Sequence, residues 1–346
     1  MRYCEEKKYI GNRDQLLTVK RYELQEGKAK GVEVIDVQNH SGMHFQVNLS
    51  RGMDIHYLDF CGENIGFLSP CGTVAPQYFD DKEIGFLKNF TAGFMTTCGL
   101  EMIGSPCEYQ GKHHGLHGNV SNIPAEEVSY TIDESQEEPS VCIRGKMREA
   151  VLFGTKLSLE RQITCKYKER KIVVRDKVTN EGYEKACNMM LYHCNIGYPI
   201  LTPNSELFMP TVEMKGRNPQ SQADIANWQK ITEPVAGYEE LCYYHKLKKD
   251  ADNHSAAAIY NPDLDLGICV EFETTSLDRM LQWKMLGAGE YVVGLEPANA
   301  SIDGMEDAIE NGSMKYLEAG ESREYELTFR VLKGKEEFEQ LKGRFA

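Results

Sequence analysis

Three short segments gather ionisable side chains in apolar or glycine-rich surroundings. In Lys112-His113-His114-Gly115-Leu116-His117-Gly118-Asn119 the two glycines let a turn bring histidines close to a ligand. In the segment Leu191 to Pro199, His193 emerges from the apolar run Met189 to Tyr192, and in the segment Tyr291 to Asn299, Glu296 closes a strand that Pro297 stops from continuing. An imidazole titrates near neutrality and a carboxylate at a strand end accepts a proton. His193 and Glu296, joined by one loop histidine, therefore form an acid–base set that works on a polar ligand without a cofactor. Plainer readings stand beside it: His193 as a hydrogen-bonded structural residue, Glu296 as a solvated strand end, His113 and His114 as exposed loop residues.

A fourth segment, Leu49-Ser50-Arg51-Gly52-Met53-Asp54-Ile55, sets Arg51 and Asp54 around a glycine between two strands. A rigid fork of donors beside a carboxylate acceptor suits a sugar diol, and equally suits a turn closed by an Arg–Asp pair. Trp283, one of two tryptophans, lies just ahead of the Glu296 strand and offers a ring for stacking on a sugar, or for the core. A metal reading competes, in which His114, His117, His193 and Glu296 ligate zinc, iron or manganese, but the glycines around His117 argue for a loop and no second ligand spacing supports it. Cys98 and Cys194 lack the surroundings of an activated thiol. No GxSxG, GxGxxG or phosphate-binding loop is present, so neither a serine nucleophile nor a nucleotide cofactor is implied.

These residues need strands to hold them, and period-two patterns are what the chain offers. Leu157, Leu159, Ile163 and Cys165 fall on one parity, interrupted only by Arg161, and Tyr325, Leu327, Phe329 and Val331 repeat the alternation. Further β-rich runs cover 32–37, 44–49, 128–132, 171–179, 188–193, 256–260, 267–272 and 291–295, many separated by turn signals such as Asn180-Glu181-Gly182. Helical period is scarce: a short C-terminal helix over 335–342, with Phe338 and Leu341 on its apolar side, and a shorter one near 11–19 capped by Asn12. With no linker, repeat or change of composition, residues 1–346 read as a single domain, a mainly β, large antiparallel β-sandwich with few short helices. The long loop-rich stretches 62–94 and 201–237 point to function, because connections of that length in a compact domain are seldom idle.

The chain has 346 residues and a net charge of −14, which repels phosphate backbones and anionic lipid and so disfavours nucleic acid and membrane partners. Nothing approaches the ~20 apolar residues of a membrane span, and the charged start Met1 to Lys8 does not resemble a signal peptide. Eleven cysteines, an odd number without regular spacing, read as reduced thiols. A cytoplasmic protein is expected.

Taken in order, Arg51-Gly-Met-Asp54, Thr96-Thr-Cys-Gly-Leu100, Gly115-Leu-His-Gly118 with Asn122-Ile-Pro-Ala125, Tyr192 to Pro199, and Trp283-Lys-Met285 leading to Gly294-Leu-Glu-Pro-Ala-Asn299 resemble the aldose 1-epimerase (galactose mutarotase-like) superfamily, in particular its DUF4432 branch. The resemblance spans roughly Gly11 to Val331. It implies a β-supersandwich with a sugar in an open cleft and a cofactor-free mutarotase. Glu296 would remove the anomeric hydroxyl proton, His193 protonate the ring oxygen, and His117 bond the sugar. Arg51, Asp54, His114, Asn195, Trp283 and Asn299 are the expected substrate contacts, and no metal is expected. Where the pattern leads one to expect arginines, this chain has Asn119 and Met305. Losing both weakens the case for a strongly anionic sugar and tilts the expectation to a neutral aldose. A non-catalytic carbohydrate-binding or sensing protein, and a metal-dependent sugar isomerase, remain the alternatives.

Overall fold

Alternating burial converts the period-two segments into strands. In the computed structural model, which describes residues 2–346, the first principal strands are β1 (Thr18–Glu23), β2 (Glu33–Gln38), β3 (Met43–Asn48), β4 (Asp54–Phe60) and β5 (Met95–Leu100). Four long strands follow, β6 (Glu126–Asp133), β7 (Ser140–Ala150), β8 (Lys156–Lys166) and β9 (Lys171–Asn180), then β10 (Met189–Gly197), β11 (Glu206–Phe208), β12 (Thr211–Gly216) and β13 (Leu241–Leu247). The series closes with β14 (His254–Asn261), β15 (Leu266–Glu273), β16 (Arg279–Gly287), β17 (Glu290–Ala298) and β18 (Ser322–Lys333).

They form two large antiparallel sheets. The first runs β1-β2-β3-β4-β5-β10-β17-β16-β13-β12, and the second runs β6-β7-β8-β9-β18-β15-β14-β11. One hydrophobic cluster joins them: Val47, Ile55, Ile196 and Leu295 of the first sheet meet Ile143, Ile163, Val174 and Leu327 of the second. The alternation read from the sequence is what is seen, since Leu157, Leu159, Ile163 and Cys165 are all buried, as are Tyr325, Leu327, Phe329 and Val331. Every residue of β10 is buried, because the second sheet covers one face of this central strand and long loops cover the other.

Two expectations about helices fare differently. The C-terminal helix α1 (Lys335–Gly343) forms, and Phe338 and Leu341 pack with Tyr260 and Leu332 on the outside of the second sheet. The helix expected near 11–19 does not. Asn12 does accept from the Asp14 N–H at 2.9 Å, but it caps a single turn, Arg13–Gln15, and the β-branched pair Thr18-Val19 opens β1 instead.

Arg161, the interruption in the apolar parity of β8, is the hinge of the inter-sheet contact. Its side chain is fully buried, and all five donors are used: Nε and Nη2 bind Asp176 at 2.9 and 2.6 Å, Nη2 also reaches Thr97 Oγ1 at 2.8 Å, and Nη1 reaches Gly52 O at 2.8 Å and Asp54 at 3.1 Å. Asp176 stands opposite Arg161 on the neighbouring strand β9, whereas Asp54, Thr97 and the Tyr192 hydroxyl, which donates to Asp176 at 2.7 Å, come from the first sheet. Burial pushes the Asp54 carboxyl up to about 6 against the pull of Arg161. Burial opposes the charge of Arg161, but Asp176 and Asp54 outweigh it and hold the guanidinium above its usual range. Removing one member of such a set strands the others. Arg161→Met is therefore expected to lose about 3–5 kcal/mol of stability by urea unfolding; an unchanged midpoint would show that the network does not hold the sheets.

Candidate active site

β10 and β17 pair in a register that sets Leu191 against Ala298 and Cys194 against Leu295, which brings His193 opposite Glu296. Tyr192, Cys194 and Ile196 face the inter-sheet core, so His193 faces away from it, as does Glu296 beside core-facing Leu295. The two side chains are cross-strand neighbours, with His193 Nε2 3.1 Å from Glu296 Oε1. They stand side by side on one wall and do not face each other across a gap. Gly294 makes room for this arrangement: a methyl group there would lie 2.4 Å from Glu296 Oε1.

Above the pair opens a cavity of about 610 Å³. Trp283, paired with Gly294 on the next strand, brings its ring centroid within 5.3 Å of that of His193 and donates its indole N–H to Glu240 at 2.7 Å. His117 enters from the loop after residue 114, with φ +62°, its N–H donating to Gly104 O at 2.8 Å and its ring 5.8 Å from that of His193. The glycines around it are obligatory, because a Cβ at 115 would lie 2.2 Å from Asp81 O and one at 118 would lie 2.4 Å from Gly99 O. Arg217 completes the polar side, donating Nε to Asp303 at 2.7 Å and Nη2 to Ser105 at 2.6 Å.

Three buried polar atoms in this cluster have no hydrogen-bond partner: His117 Nδ1, His193 Nδ1 and Glu296 Oε1. The 3.1 Å approach of His193 to Oε1 is off the line of a hydrogen bond, so it does not satisfy that oxygen. Buried polar groups are paired unless something else requires them, so such a concentration marks a site shaped for a polar ligand. Burial raises the Glu296 carboxyl to about 8, helped by the charge of Glu240 and opposed by Arg217. Burial lowers His193 to about 4, with the adjoining Asn195 side chain acting against it, and lowers His117 to about 3, with His193 and Arg217 acting in the same sense. Between about 4 and about 8 the His193–Glu296 pair thus carries a single proton. Such a pair donates at one atom and accepts at another.

A family model described as a domain of unknown function, DUF4432, matches residues 29–331. The chain belongs to the DUF4432 family. No sequence among curated proteins matches it significantly. Its fold is that of the galactose mutarotase-like proteins. A candidate aldose 1-epimerase from Klebsiella pneumoniae superposes with a TM-score of 0.92 at 23% identity, over 96% of this chain and 90% of that one. A galactose mutarotase-like protein from Clostridium acetobutylicum gives 0.63 at 13% identity, over 92% and 99%. A galactose 1-epimerase from Lactobacillus acidophilus gives 0.60 at 11%, over 92% and 99%.

Of the residues singled out in the sequence of this DUF4432 protein, Glu296, His193, His117 and Trp283 meet at the cavity. The others do not line it. Arg51 is buried and donates to the carbonyls of Ser121, Val74 and Asn89 and to Thr91 Oγ1, leaving no fork for a sugar diol. Asp54 belongs to the Arg161 network, and Asn299 is consumed by Met190 N–H, Asn188 O and the Tyr325 hydroxyl. Asn195 donates to the backbone carbonyls of Ala92 and His193 and does not line the cavity. His114 sits on the short strand Lys112–His114 away from the cavity, which leaves the four-ligand metal set unassembled. No group of three potential ligands is gathered for a metal among the described residues. Asn119 donates to Glu149 and Met305 is buried in an apolar cluster, so neither departure touches the cavity.

Sequence reasoning missed Arg217, Glu240, Phe86 and Phe90, which all line the cavity. Phe86 and Phe90 fall in the long stretch 62–94, and Arg217 falls in the stretch 201–237. Length alone was the signal for both. The buried carboxyl yields a stability test. Because Glu296 holds its proton more tightly when folded, its contribution is present below the unfolded carboxylate range and is lost as pH rises towards about 8. Relative to wild type, Glu296→Gln should therefore gain thermal stability progressively from pH 5 to pH 8; a constant difference in Tm would contradict the raised carboxyl.

Proposed function

We propose that this DUF4432 protein is a carbohydrate isomerase that interconverts the anomers of a free aldose, an aldose 1-epimerase or mutarotase. The observation that carries the reading is the His193–Glu296 pair, buried, one proton short of full protonation, and open to a cavity the size of a small-molecule site. The likeness of fold to a galactose 1-epimerase supports it.

Anomerisation needs a proton taken from the anomeric hydroxyl and one delivered to the ring oxygen. Between about 4 and about 8 the proton rests on Glu296; in the form of the pair that carries it on His193 instead, Glu296 takes the hydroxyl proton as the imidazolium protonates the ring oxygen, and the ring opens to the aldehyde. The proton then rests on Glu296. Rotation about C1–C2 and the reverse transfers close the ring on the other face, so one proton serves both directions and no redox step occurs. Each positioned group supplies a factor of about 10² to 10⁴. His117 adds a hydrogen-bonding atom to the sugar, and the rings of Trp283 and Phe90 offer faces for its C–H surface. The positive charge of Arg217 is met by Asp303, and Glu240 stands nearby, which favours a neutral ligand over an anionic one.

Magnetisation-exchange NMR across a panel of reducing sugars tests this. Acceleration of anomer exchange is expected for at least one sugar, with kcat falling about 10²- to 10⁴-fold in Glu296→Gln. A sugar that binds by calorimetry but is not anomerised would identify a binding or sensing protein instead. The pH profile of kcat/KM should be a bell: the pair gains a second proton below about 4 and loses its last above about 8, so activity falls on both sides.

A further inference from the structure

The cavity gathers His193, Glu296, His117 and Arg217 together with Phe67, Pro70, Leu116 and Met285, and Ser69, Ser105, Glu240 and Glu290 also line it. Its exposed rim is aliphatic where Ile84 and Leu87 stand. We propose, resting on the anomerase reading, that the site takes a reducing sugar whose end remote from the anomeric carbon is apolar, either deoxygenated or carrying a hydrocarbon group.

Hydroxyl chemistry makes the case. A hydroxyl moved out of water without a partner is costly, and the side chains of Ile84 and Leu87 at the rim offer none. Aromatic rings alone would be unremarkable, because the C–H face of any hexose stacks on them. Aliphatic side chains do not serve that purpose, and Ile84 and Leu87 are 61% and 51% exposed at the mouth, so the free protein presents them to water. A methyl or acyl group anchored by its sugar over His193 and Glu296 would cover them. The volume, about 610 Å³, lies within the range of about 300–1,000 Å³ seen for sites of drug-sized ligands and leaves room beyond a single sugar ring.

The segment that carries Ile84 and Leu87 is tied down by bonds of the protein itself. Arg51 binds the carbonyls of Val74 and Asn89 at 3.3 and 2.5 Å, at the two ends of the segment that carries Ile84 and Leu87, and Leu116 N–H donates to Glu83 O at 2.8 Å. Little ordering is left to oppose binding on it.

The experiment compares matched pairs by exchange NMR and calorimetry: D-glucose with 6-deoxy-D-glucose and 6-O-butanoyl-D-glucose, and D-galactose and D-mannose with their 6-deoxy forms. The apolar member of at least one pair should have a kcat/KM higher by about tenfold or more, the discrimination one buried methyl-sized group provides. Leu87→Asp, at an exposed position, should reduce that ratio towards one, with Ile84→Asp as the second variant and Tm as the check on folding. Equal or lower kcat/KM for every apolar member, with anomerisation intact, overturns the apolar subsite and leaves the anomerase standing. Tenfold tighter binding of apolar members without anomerisation of any sugar upholds the subsite and overturns the anomerase. Neither binding nor turnover across the panel overturns both.

Discussion

Arg161 fixes the alignment on which the rest of the molecule depends. A guanidinium with five donors in a rigid plane, buried between sheets, is satisfied only when Asp176 stands opposite it and Asp54, Gly52 and Thr97 converge from the other sheet. Asp176 in turn accepts the Tyr192 hydroxyl, which holds Tyr192 towards the core. Side chains alternate along a strand, so Tyr192 inward means His193 outward; a slip of one residue in β10 would bury the imidazole in the core and turn tyrosine to the cavity. Buried ion pairs return little net stability after desolvation. What this one supplies is register, and through register the face on which the acid–base pair appears.

The contrast with the cavity is instructive. Around Arg161 every donor is met, whereas His193 Nδ1, one residue along β10 from Tyr192, has no partner, and neither do His117 Nδ1 and Glu296 Oε1 beside it. Both clusters are polar and buried, and only one is finished. An unfinished cluster carries a standing cost, visible in a carboxyl raised to about 8 and imidazoles lowered to about 4 and about 3 by burial. Folds keep such departures where a ligand completes the set. Here the departure also keeps one proton between two groups whose affinities for it have been moved in opposite senses by the same low-dielectric surroundings.

The strands were legible because parity is a local property: Leu157 to Cys165 and Tyr325 to Val331 needed nothing beyond their own side chains. His193, Glu296, His117 and Trp283 stood out as polar or aromatic residues beside apolar strands and glycine turns, although Pro297 does not end the Glu296 strand, which runs on to Ala298. Arg51, Asp54 and Asn299 misled for a physical reason. Parity separates two faces of a strand but does not say which of them looks onto a cavity, and a polar residue that satisfies a buried partner has the same local pattern as one that awaits a ligand. Arg161 shows the point from the other side, since in the sequence it was merely a break in an apolar stripe. Arg217 carried no signal beyond the length of the 201–237 stretch and Glu240 carried none, because the position of such segments is set by contacts distant in the chain.

Arg51 and Asp54 still matter to the site, though neither lines it. They lie three residues apart in one turn, with Asp54 N–H donating to Arg51 O at 3.1 Å, and each reaches in a different direction. Asp54 joins the Arg161 network, while Arg51 grips the carbonyls that frame the 74–91 wall and that of Ser121, the residue beyond the His117 loop. No carboxylate is hydrogen-bonded to Arg51, and burial lowers its pKa to about 10 against the charge of nearby Asp54. The turn is thus a joint between the inter-sheet register and the cavity wall. Strands that set His193 and Glu296 on one face would present them to a changing cavity if the 74–91 segment drifted, because placement of a ligand depends on all the side chains that line it. The motif that reads as a ligand-binding pair acts one step removed: it holds still a segment that lines the cavity.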